Sequence, residues 1–299
     1  KMNRGKARII VSGKFDVRFN LAIENFLFRG MEPASHIMFL WVNSPAVVIG
    51  RYQNPWLECD LDAMAEAGAP VARRLSGGGT VYHDLGNLNF SYILPREQFD
   101  RDALTARVAG VLRELGLPVD VGPRHTLTAA GLKCSGSASC LKRQRVIHHG
   151  TLLIDADLER MQRLLRPTCA GIESKGVRSV PAAVGNLGRF DPDLTVARVA
   201  DALARDFAGG QVEAAFDHAE LAQVRQRYDS HAWRFGQTPR FAAAGAAAHA
   251  GGRVEFKAEV TDGRVSRLDL CPSDVDLSRR LLGADFETML ATFPDMELV

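Results

Sequence analysis

The order of apolar and polar residues predicts alternating strands and helices over most of the chain. Short runs of apolar residues, many of them β-branched or aromatic, predict strands, and apolar residues three and four positions apart predict amphipathic helices. The predicted strands are Ala7–Val11, Ile37–Val42, Ala46–Ile49, Pro70–Arg74, Leu88–Leu94 and Thr151–Ile154. The predicted helices are Asn20–Arg29, Leu61–Ala67, Asp102–Leu115, Leu158–Leu165 and Thr195–Phe207. This mixture indicates an α+β domain, with helices around mixed sheets, that spans residues 1–240.

The pattern changes after residue 240. Phe241–Ala250 is rich in small residues, which predicts a linker or a weak helix. Two alternating runs then flank Asp262-Gly263, a dipeptide that favours the tight turn of a hairpin. Leu277–Leu282 and Phe286–Phe293 have helical spacing. Residues 241–299 are therefore predicted to form a small α+β domain that packs on its neighbour.

Composition limits the class of protein without identifying it. The 299 residues are 46% hydrophobic and 24% charged, and the net charge of +2 argues against a dedicated nucleic-acid-binding protein. The absence of a long apolar run and of a secretory signal predicts a protein without a membrane span, in the cytoplasm or alternatively the mitochondrial matrix. Five scattered cysteines without a CxxC pair predict neither disulfides nor a metal site. A monomer is the expected oligomeric state.

The stretch RRLSGGGTVYHD, residues 73–84, is the most informative part of the sequence. Three successive glycines allow the backbone to approach a ligand closely and to turn its N–H groups toward an anion. Two arginines precede them, and guanidinium groups bind phosphate or carboxylate bidentately. The glycines alone favour a tight hairpin, because such loops are common, but with the arginines and Tyr82-His83-Asp84 they favour phosphate binding. The stretch is neither a Walker loop nor a dinucleotide fingerprint.

A second cluster combines GLKCSGSA, residues 131–138, with His148-His149. Lys133 lies between apolar neighbours, from where an ammonium group reaches phosphate and carboxylate oxygens of a ligand. The alternative is an exposed loop lysine. Because neighbouring residues of a strand point to opposite faces, the two histidines are not expected to share a metal ion. One is predicted to form hydrogen bonds in the pocket and the other to pack behind it.

Several segments together resemble the signature segments of lipoate-protein ligases and mitochondrial lipoyltransferases. They are FNLAIE (19–24), VVIGRYQNPWLE (47–58), RRLSGGGTVYHDLGNLN (73–89), KCSGSA (133–138), HHGTLL (148–153), KGVRSV (175–180) and WRFGQTPRF (233–241). They follow the family order and cover nearly the whole chain. The resemblance implies a catalytic domain like that of biotin protein ligases and class II aminoacyl-tRNA synthetases, with a small C-terminal accessory domain.

The resemblance also implies a reaction. Lipoate and ATP, which acts with Mg²⁺, form lipoyl-AMP, and the lipoyl group then passes to a lysine of a 2-oxoacid dehydrogenase E2 lipoyl domain or of glycine-cleavage H protein. It implies a catalytic role for Lys133, which bridges carboxylate and phosphate oxygens. The residues it implies for substrate and ATP binding are Arg74, Ser76, Gly77, Gly78, Gly79, Thr80, Val81, Tyr82, Asn87, Lys133 and His149.

The chain departs from the family pattern at one point. The family usually has Arg-Asn-Asp a few residues before the lysine, whereas this chain has Arg124-His125-Thr126. The missing carboxylate leaves open a lipoyltransferase that uses preformed lipoyl-AMP, or a non-catalytic lipoyl-AMP-binding protein. Related acyltransferases act through a cysteine thioester, for which Cys134 and Cys169 are the candidates. Ordinary structural cysteines are the favoured interpretation of both.

Overall fold

The computed structural model describes residues 7–30, 32, 35–167, 169, 171–208, 212–214, 219–249, 252–293 and 297–298. The helices there are α1 Val17–Gly30, α2 Leu61–Glu66, α3 Arg101–Glu114, α4 Leu158–Leu164, α5 Val196–Ala208, α6 Ala219–Asp229, α7 His231–Arg234, α8 Val275–Leu281 and α9 Phe286–Thr292. The strands are β1 Ala7–Val11, β2 His36–Trp41, β3 Ala46–Ile49, β4 Val71–Arg73, β5 Val81–His83, β6 Asn87–Pro95, β7 Val119–Gly122, β8 Thr126–Ala129, β9 Leu132–Ser135, β10 Ser137–Leu141, β11 Arg145–Leu153, β12 Ile172–Ser174, β13 Val212–Ala214, β14 Phe241–His249, β15 Gly252–Thr261, β16 Arg264–Cys271 and β17 Glu297–Leu298. None of the helices in these ranges has both the length and the apolar character that a membrane crossing requires.

A six-stranded mixed sheet forms the centre of the fold, in the order β10-β11-β6-β2-β1-β13. Side chains alternate between its two faces, so Met38 and Leu40 of β2 pack with helices α3 and α5, whereas Phe39 packs with α1 on the other face. Strand β6 lies between β2 and β11 and is antiparallel to both. All nine residues of β6 are buried because both faces of the sheet are covered, so its sequence is mainly apolar, although Asn89 and Ser91 interrupt the run.

Two three-stranded sheets carry the segments with candidate chemistry. In the first, β3 pairs in parallel with β4 and antiparallel with β5, so the glycine-rich residues 74–80 form the loop that connects β4 to β5. In the second, β8 lies between β7 and β9, and Lys133 belongs to β9. The strands predicted around the glycine-rich segment are confirmed, since Ala46–Ile49 coincides with β3 and Pro70–Arg74 extends β4 by one residue at each end. No strand was predicted for the segment of Lys133, and the predicted strand Thr151–Ile154 is only the end of the longer β11.

The prediction of a linker or weak helix at Phe241–Ala250 is wrong. Residues 241–249 form β14, which pairs with the long strand β15 on one side and with β12 on the other. Ala243, Ala246 and Ala247 are buried there, because the small side chains let the sheet pack closely against the helices below it. Tertiary pairing thus overrides the intrinsic helix preference of alanine. The predicted hairpin that follows is confirmed, with Asp262 and Gly263 at φ of 53° and 73°.

The residues on either side of position 240 share one apolar cluster. The ring of Trp56 lies 5.5 Å from that of Phe235 and 5.2 Å from those of both Phe241 and Phe286. Strand β12, from the middle of the chain, also extends the C-terminal sheet. The division of the chain into domains at residue 240 therefore stays a prediction.

Candidate active site

A cavity of about 520 Å³ lies where the glycine-rich loop, strands β9 to β11 and residues 177–183 meet. Gly78, Gly79 and Thr80 form one part of its wall, and Lys133 with Gly136 forms another. Residues 177–183, called the strap below, close a third side. The two segments that the sequence pointed to thus line one cavity.

Lys133 presents its ammonium group to this cavity without a carboxylate partner. Burial, together with the nearby charge of Arg124, lowers the pKa of Lys133. Its backbone is held by the end of the strap and the residues that follow it, since its N–H donates to the carbonyl of Ala183 (2.9 Å) and its carbonyl accepts from the N–H of Gly185 (3.1 Å). Among the residues that the structure describes, no acidic side chain forms an ion pair with it. The charge is therefore available to a negatively charged ligand.

Arg74 uses its guanidinium group mainly to shape the glycine loop. Its Nη2 donates to the carbonyl oxygens of Gly77 (2.6 Å) and Gly79 (2.7 Å). Its Nε donates to Ser76 Oγ (3.0 Å), and its Nη1 donates to the carbonyl of Val48 (3.1 Å). Burial lowers the pKa of Arg74 to about 10. Arg74 also lines the cavity, but four of its five N–H donors already have protein partners, so its direct contact with a phosphate stays a prediction.

Arg73 points away from the cavity and stabilises the contact with α7. Its Nη2 donates to the carbonyl of Arg234 (2.6 Å) and to Thr238 Oγ1 (2.9 Å), and its Nη1 donates to the carbonyl of Gln53 (2.8 Å). Burial, and repulsion from Arg51, lower its pKa to about 9. The interpretation of both arginines as one anion-binding pair is wrong, since adjacent residues diverge from a strand.

A buried polar network supports the glycine loop from behind, and it begins at Glu24. One carboxylate oxygen of Glu24 accepts from Ser91 Oγ (2.6 Å) and from His149 Nδ1 (2.7 Å). Ser76 Oγ lies 2.6 Å from His149 Nε2, so it connects the imidazole to Arg74. Burial raises the pKa of Glu24, but the attraction and hydrogen bond of His149, the hydrogen bond of Ser91 and the charge of Arg74 together outweigh it, so the pKa lies below its usual value.

Sequence reasoning did not single out Glu24, although a signal was present. It is a lone acidic residue among buried apolar positions of α1 such as Leu21, Ile23 and Leu27. Buried carboxylates are rare unless they are paired, so an acid on an apolar face indicates a specific partner. The identity of that partner, His149, is 125 positions away and follows only from the fold.

The two histidines occupy opposite faces of β11, as the sequence predicted. His149 lines the cavity. His148 lies on the other face, with Nδ1 3.0 Å from Ser139 Oγ and its ring 5.9 Å from that of Phe99. Burial lowers the pKa of His148 to about 3, which keeps its ring neutral.

The remaining predicted residues separate into those at the cavity and those behind it. Thr80 and Val81 line it beside Gly78 and Gly79. The other predicted binding residues do not: Ser76 and Gly77 line a different cleft, Tyr82 lines an adjoining cavity of about 640 Å³, and Asn87 is fully buried. Asn87 Nδ2 donates to Asn89 Oδ1 (3.1 Å), and Asn89 lines the cavity in its place. Tyr82 and Asn87 do not line the main cavity because side chains alternate along strands β5 and β6, whereas Ser76 and Gly77 belong to the loop. The binding roles of these four residues stay predictions.

The strap is tied to the glycine loop through Glu58, another residue that sequence reasoning did not single out. Its carboxylate accepts from the backbone N–H of Ser179 (3.2 Å), from Ser179 Oγ and from Thr80 Oγ1 (3.1 Å). Ser179 Oγ in turn accepts from the N–H of Thr80 (2.8 Å). Arg178 Nε lies 3.3 Å from Glu58 Oε1. These contacts fix the third side of the cavity against the first.

The departure at Arg124-His125-Thr126 lies at the cavity. Arg124 and Thr126 both line it, and Arg124 and His125 have positive φ of 55° and 58°. His125 Nδ1 contacts Asp102 Oδ1 (2.9 Å), so the middle residue faces α3. No carboxylate lines this cavity in the described ranges, and no group of three or more potential metal ligands occurs there.

Neither candidate cysteine lies in the cavity. Cys134 is buried, its Sγ donates to the carbonyl of Leu127 (3.4 Å), and burial raises its pKa to about 11. A nucleophilic cysteine requires the opposite shift. Cys169 lines a separate small pocket beside Trp56 and Leu290. The geometry therefore supports the structural interpretation of both.

The sequence comparisons identify the family of the chain. Residues 16–208 match the family model described as the lipoyl protein ligase A/B catalytic domain, so the chain belongs to that family. A curated relative is the lipoate-protein ligase A of Psychrobacter cryohalolentis. It is 38% identical over 251 residues, which are 79% of this chain and 74% of the relative.

Solved structures show that the fold is that of lipoate ligases. The lipoate-bound LipL1 of P. falciparum matches with a TM-score of 0.69 and 24% identity, over 98% of this chain and 95% of the other. A putative lipoate protein ligase of T. acidophilum with bound lipoic acid matches with a TM-score of 0.64 and 24% identity, over 77% and 99%. A lipoate-protein ligase A bound with ATP has the same TM-score and identity, over 77% and 98%.

Proposed function

We propose that the chain is an ATP-dependent lipoate–protein ligase. In the first step the carboxylate of lipoate attacks the α-phosphorus of ATP, which forms lipoyl-AMP and releases pyrophosphate. In the second step the ε-amine of an acceptor lysine attacks the lipoyl carbonyl carbon, which forms an amide and releases AMP. The observation that carries the proposal is the ammonium of Lys133, which lines the same cavity as the glycine loop without an acidic partner in the described part of the chain.

The glycine loop supplies the second set of groups for the phosphates. Within the described residues, the backbone N–H groups of Gly78 and Gly79 donate no hydrogen bond. Gly78 has φ of 89°, a conformation that turns successive N–H groups toward the same side. Free N–H groups and a fixed ammonium together stabilise the charge that builds on the phosphorus in the transition state.

The opposite end of the cavity suits the acyl chain of lipoate. Leu21, Trp41, Val48 and Val81 line it with apolar surface. A pocket with an apolar end and a few convergent polar groups holds a fatty carboxylate in one orientation, with its carboxylate toward Lys133. Lys133 then contacts carboxylate and phosphate oxygens in both steps, and it also stabilises the AMP that leaves in the second.

The acceptors in this proposal are small domains with an exposed lysine. One similar solved structure, from Thermoplasma acidophilum, comes from a structural analysis of a bipartite lipoate protein ligase and its E2 lipoyl domain. For this chain we propose apo lipoyl domains of 2-oxoacid dehydrogenase E2 subunits, and glycine-cleavage H protein, as acceptors. The active species is proposed to be a cytoplasmic monomer.

Mg²⁺ belongs to this scheme as part of the ATP substrate. No carboxylate lines the main cavity in the described ranges, and Glu58 beside it already accepts bonds from the strap and Thr80. The phosphate oxygens and water therefore supply the ligands of the ion, as is common for Mg²⁺. The chemistry that the ion supplies is neutralisation of phosphate charge.

A second candidate function is a lipoyltransferase that uses preformed lipoyl-AMP. Thr126 at the cavity favours it, because a carboxylate at that position would have offered a ligand for Mg²⁺ or a partner for Lys133. The third candidate is a non-catalytic protein that uses the same site to bind lipoyl-AMP.

A comparison of donors tests the three candidates. The protein is incubated with an apo lipoyl domain and either lipoate with ATP and Mg²⁺ or synthetic lipoyl-AMP, and the acceptor is analysed by mass spectrometry. A ligase lipoylates the acceptor lysine with both donors. Modification with lipoyl-AMP alone establishes the transferase instead, and tight binding of lipoyl-AMP without modification establishes the binding protein.

A further inference from the structure

A second cleft, of about 680 Å³, lies on the far side of the glycine loop and is lined by basic residues. It contains five cationic side chains and no acidic one: Arg29, Arg51, Lys142, Arg145 and Arg227. We call these five residues the basic cleft. In the described part of the chain, none of them forms an ion pair with a carboxylate. The positive charge of this surface is therefore not neutralised by the protein itself.

The cationic groups of the basic cleft are held close together although their like charges repel each other. The guanidinium carbons of Arg51 and Arg227 lie 4.3 Å and 3.8 Å from the ring centre of Trp233. Burial lowers the pKa of Arg227, and repulsion from Arg29 and Arg51 lowers it further. Arg145 Nη1 donates to the carbonyl of Phe28 (2.6 Å) at the end of α1, which fixes its position. Like charges assembled without counter-ions indicate an anionic partner.

The basic cleft adjoins the catalytic cavity directly. Gly77 lines the cleft, whereas the next two glycines line the cavity. Strand β10 passes from one to the other, since Ala138 lines the cavity and Leu141 lines the cleft. At about 3.3 Å per residue, the four steps from Ser137 to Leu141 span about 13 Å. β10 is also the outer strand of the central sheet, with β11 as its partner.

Exposed apolar side chains lie between the two openings. Tyr52, which lines the cleft, is 60% exposed, and Val177, which lines the cavity, is 46% exposed. The carbonyl of Tyr52 accepts from the N–H of Val177 (3.0 Å), so the two residues are fixed side by side. An apolar centre beside a charged rim is typical of a protein-binding surface.

We propose that the basic cleft, with Tyr52 and Val177, is the surface on which the acceptor domain docks through an acidic face. This inference rests on the proposed function, which requires the acceptor lysine to enter the cavity. A domain of about 100 residues has a radius of gyration of about 13 Å, so its body covers surface that far from the inserted lysine. The partner therefore lies over the cleft, where acidic side chains meet the five cations and steer its approach.

A charge-reversal variant tests this surface. In Arg29→Glu/Lys142→Glu two exposed side chains of the cleft change sign, and both lie outside the catalytic cavity. The matched control is Arg253→Glu/Arg280→Glu, which changes the net charge equally at exposed positions of the C-terminal part. Each protein is assayed twice: for lipoyl-AMP formation without acceptor, and for the KM of an apo lipoyl domain in transfer.

The two assays are expected to respond differently to the charge reversal. The cleft variant forms lipoyl-AMP within twofold of the wild-type rate, but its KM for the acceptor rises at least tenfold, whereas the control keeps both values. The KM of the wild type also rises with ionic strength, and that of the cleft variant changes less. The milder Arg29→Gln/Lys142→Gln gives an intermediate KM.

Two results would overturn the docking surface. One is an equal KM for the cleft variant and the control. The other is an unchanged KM with loss of binding to a short RNA, which assigns the cleft to a nucleic acid. Failure of the proposed function is distinguishable, because the wild type then neither forms lipoyl-AMP nor lipoylates the acceptor from synthetic lipoyl-AMP.

Discussion

The two walls of the catalytic cavity use positive charge in different ways. On the glycine-loop wall, Arg74 donates four hydrogen bonds to protein acceptors, and the network from Glu24 holds the same loop from behind. On the other wall, Lys133 is positioned by its backbone, and its ammonium is left for the ligand. The difference teaches that a buried charge can build the shape of a site, while a charge without a protein partner stays available for the proposed chemistry. A variant of Lys133 should therefore lose activity alone, whereas a variant of Arg74 should lose stability as well.

Replacement of Lys133 should give the largest effect, and on activity alone. Lys133→Met removes a preorganised cation from both transition states, which costs on the order of 2.7–4 kcal/mol, or about a hundredfold to a thousandfold in rate. Pyrophosphate release and acceptor modification measure the two steps. The thermal unfolding midpoint should stay close to wild type, because the group has no protein partner to lose.

Lys257→Met, at an exposed position of β15, is the matched control and should keep full activity. Wild-type rates in Lys133→Met would remove this residue from the chemistry and end the distinction between the walls.

Replacement of Arg74 should lower stability as well as activity. Lysine cannot donate to four acceptors at once, so Arg74→Lys leaves buried carbonyl groups of the loop unpaired, at about 1–3 kcal/mol for each such group. We expect the free energy of unfolding in urea to fall by about 2–3 kcal/mol and the KM for ATP to rise. Arg205→Lys, at an exposed position of α5, serves as the control. Lost activity at unchanged stability would instead assign Arg74 to direct ligand binding.

A methyl group at Gly50 tests whether the shape of the loop matters by itself. A Cβ there would clash with the carbonyl oxygen of Gly78, so Gly50→Ala must displace the loop without changing any charge. We expect the KM for ATP to rise about tenfold, a loss of about 1.4 kcal/mol in binding. Gly110→Ala in helix α3 meets no neighbour within 4 Å and should be neutral or slightly stabilising. Equal KM values in the two variants would show that the loop tolerates displacement.

Acidification should lower the free energy of unfolding, and the loss for each histidine involved should be the smallest of the predicted effects. Burial lowers the pKa of His83, on the glycine-loop wall, to about 3. Asn43 Nδ2 donates to its Nδ1 (2.8 Å), since the amide oxygen already accepts from Asn20 (2.8 Å), so the ring is held neutral. His148 shares the same low pKa.

The direction of the pH dependence follows from these values. Below about pH 6.5 the unfolded chain binds protons that the folded protein excludes, so stability falls as the pH drops from 6.5 toward 3. Each histidine contributes about 1 kcal/mol per pH unit there. Urea unfolding between pH 7 and 5 measures the slope, which His148→Gln should reduce. An equal slope in that variant would contradict the buried neutral ring. The pKa of Glu24, held below 4.5, adds a further loss only at lower pH.

Much of the fold could be predicted from local patterns, and the failures have a common cause. Strands with two buried faces, such as Leu88–Leu94, are apolar enough to be recognised alone. β14 was missed because alanine favours helices, and only its partners β12 and β15 make it a strand. The short strands β7 to β10, which form a small separate sheet and the outer strand of the central sheet, carry polar residues and have weak periodicity.

The location of the site was also predictable, but the roles of single residues were not. Consecutive glycines and a lysine in an apolar setting indicate an anion site regardless of the fold. Arg73 and Arg74 are neighbours in sequence but point in different directions, and the partners of Arg73 lie about 20 and about 160 positions away. Glu58 and Glu24 acquire their roles in the same way, through contacts with the strap and with His149. Such pairings arise from topology, which local sequence does not contain.

Formation of the adenylate in the absence of an acceptor tests the central claim most directly. The protein, in excess over ATP, is mixed with lipoate and Mg²⁺ in a single-turnover experiment, and pyrophosphate and lipoyl-AMP are quantified. We predict one pyrophosphate released and one lipoyl-AMP formed for each ATP, and neither product in Lys133→Met on the same timescale. Absence of both products in the wild type, with intact transfer from synthetic lipoyl-AMP, would contradict the assignment as an ATP-dependent ligase.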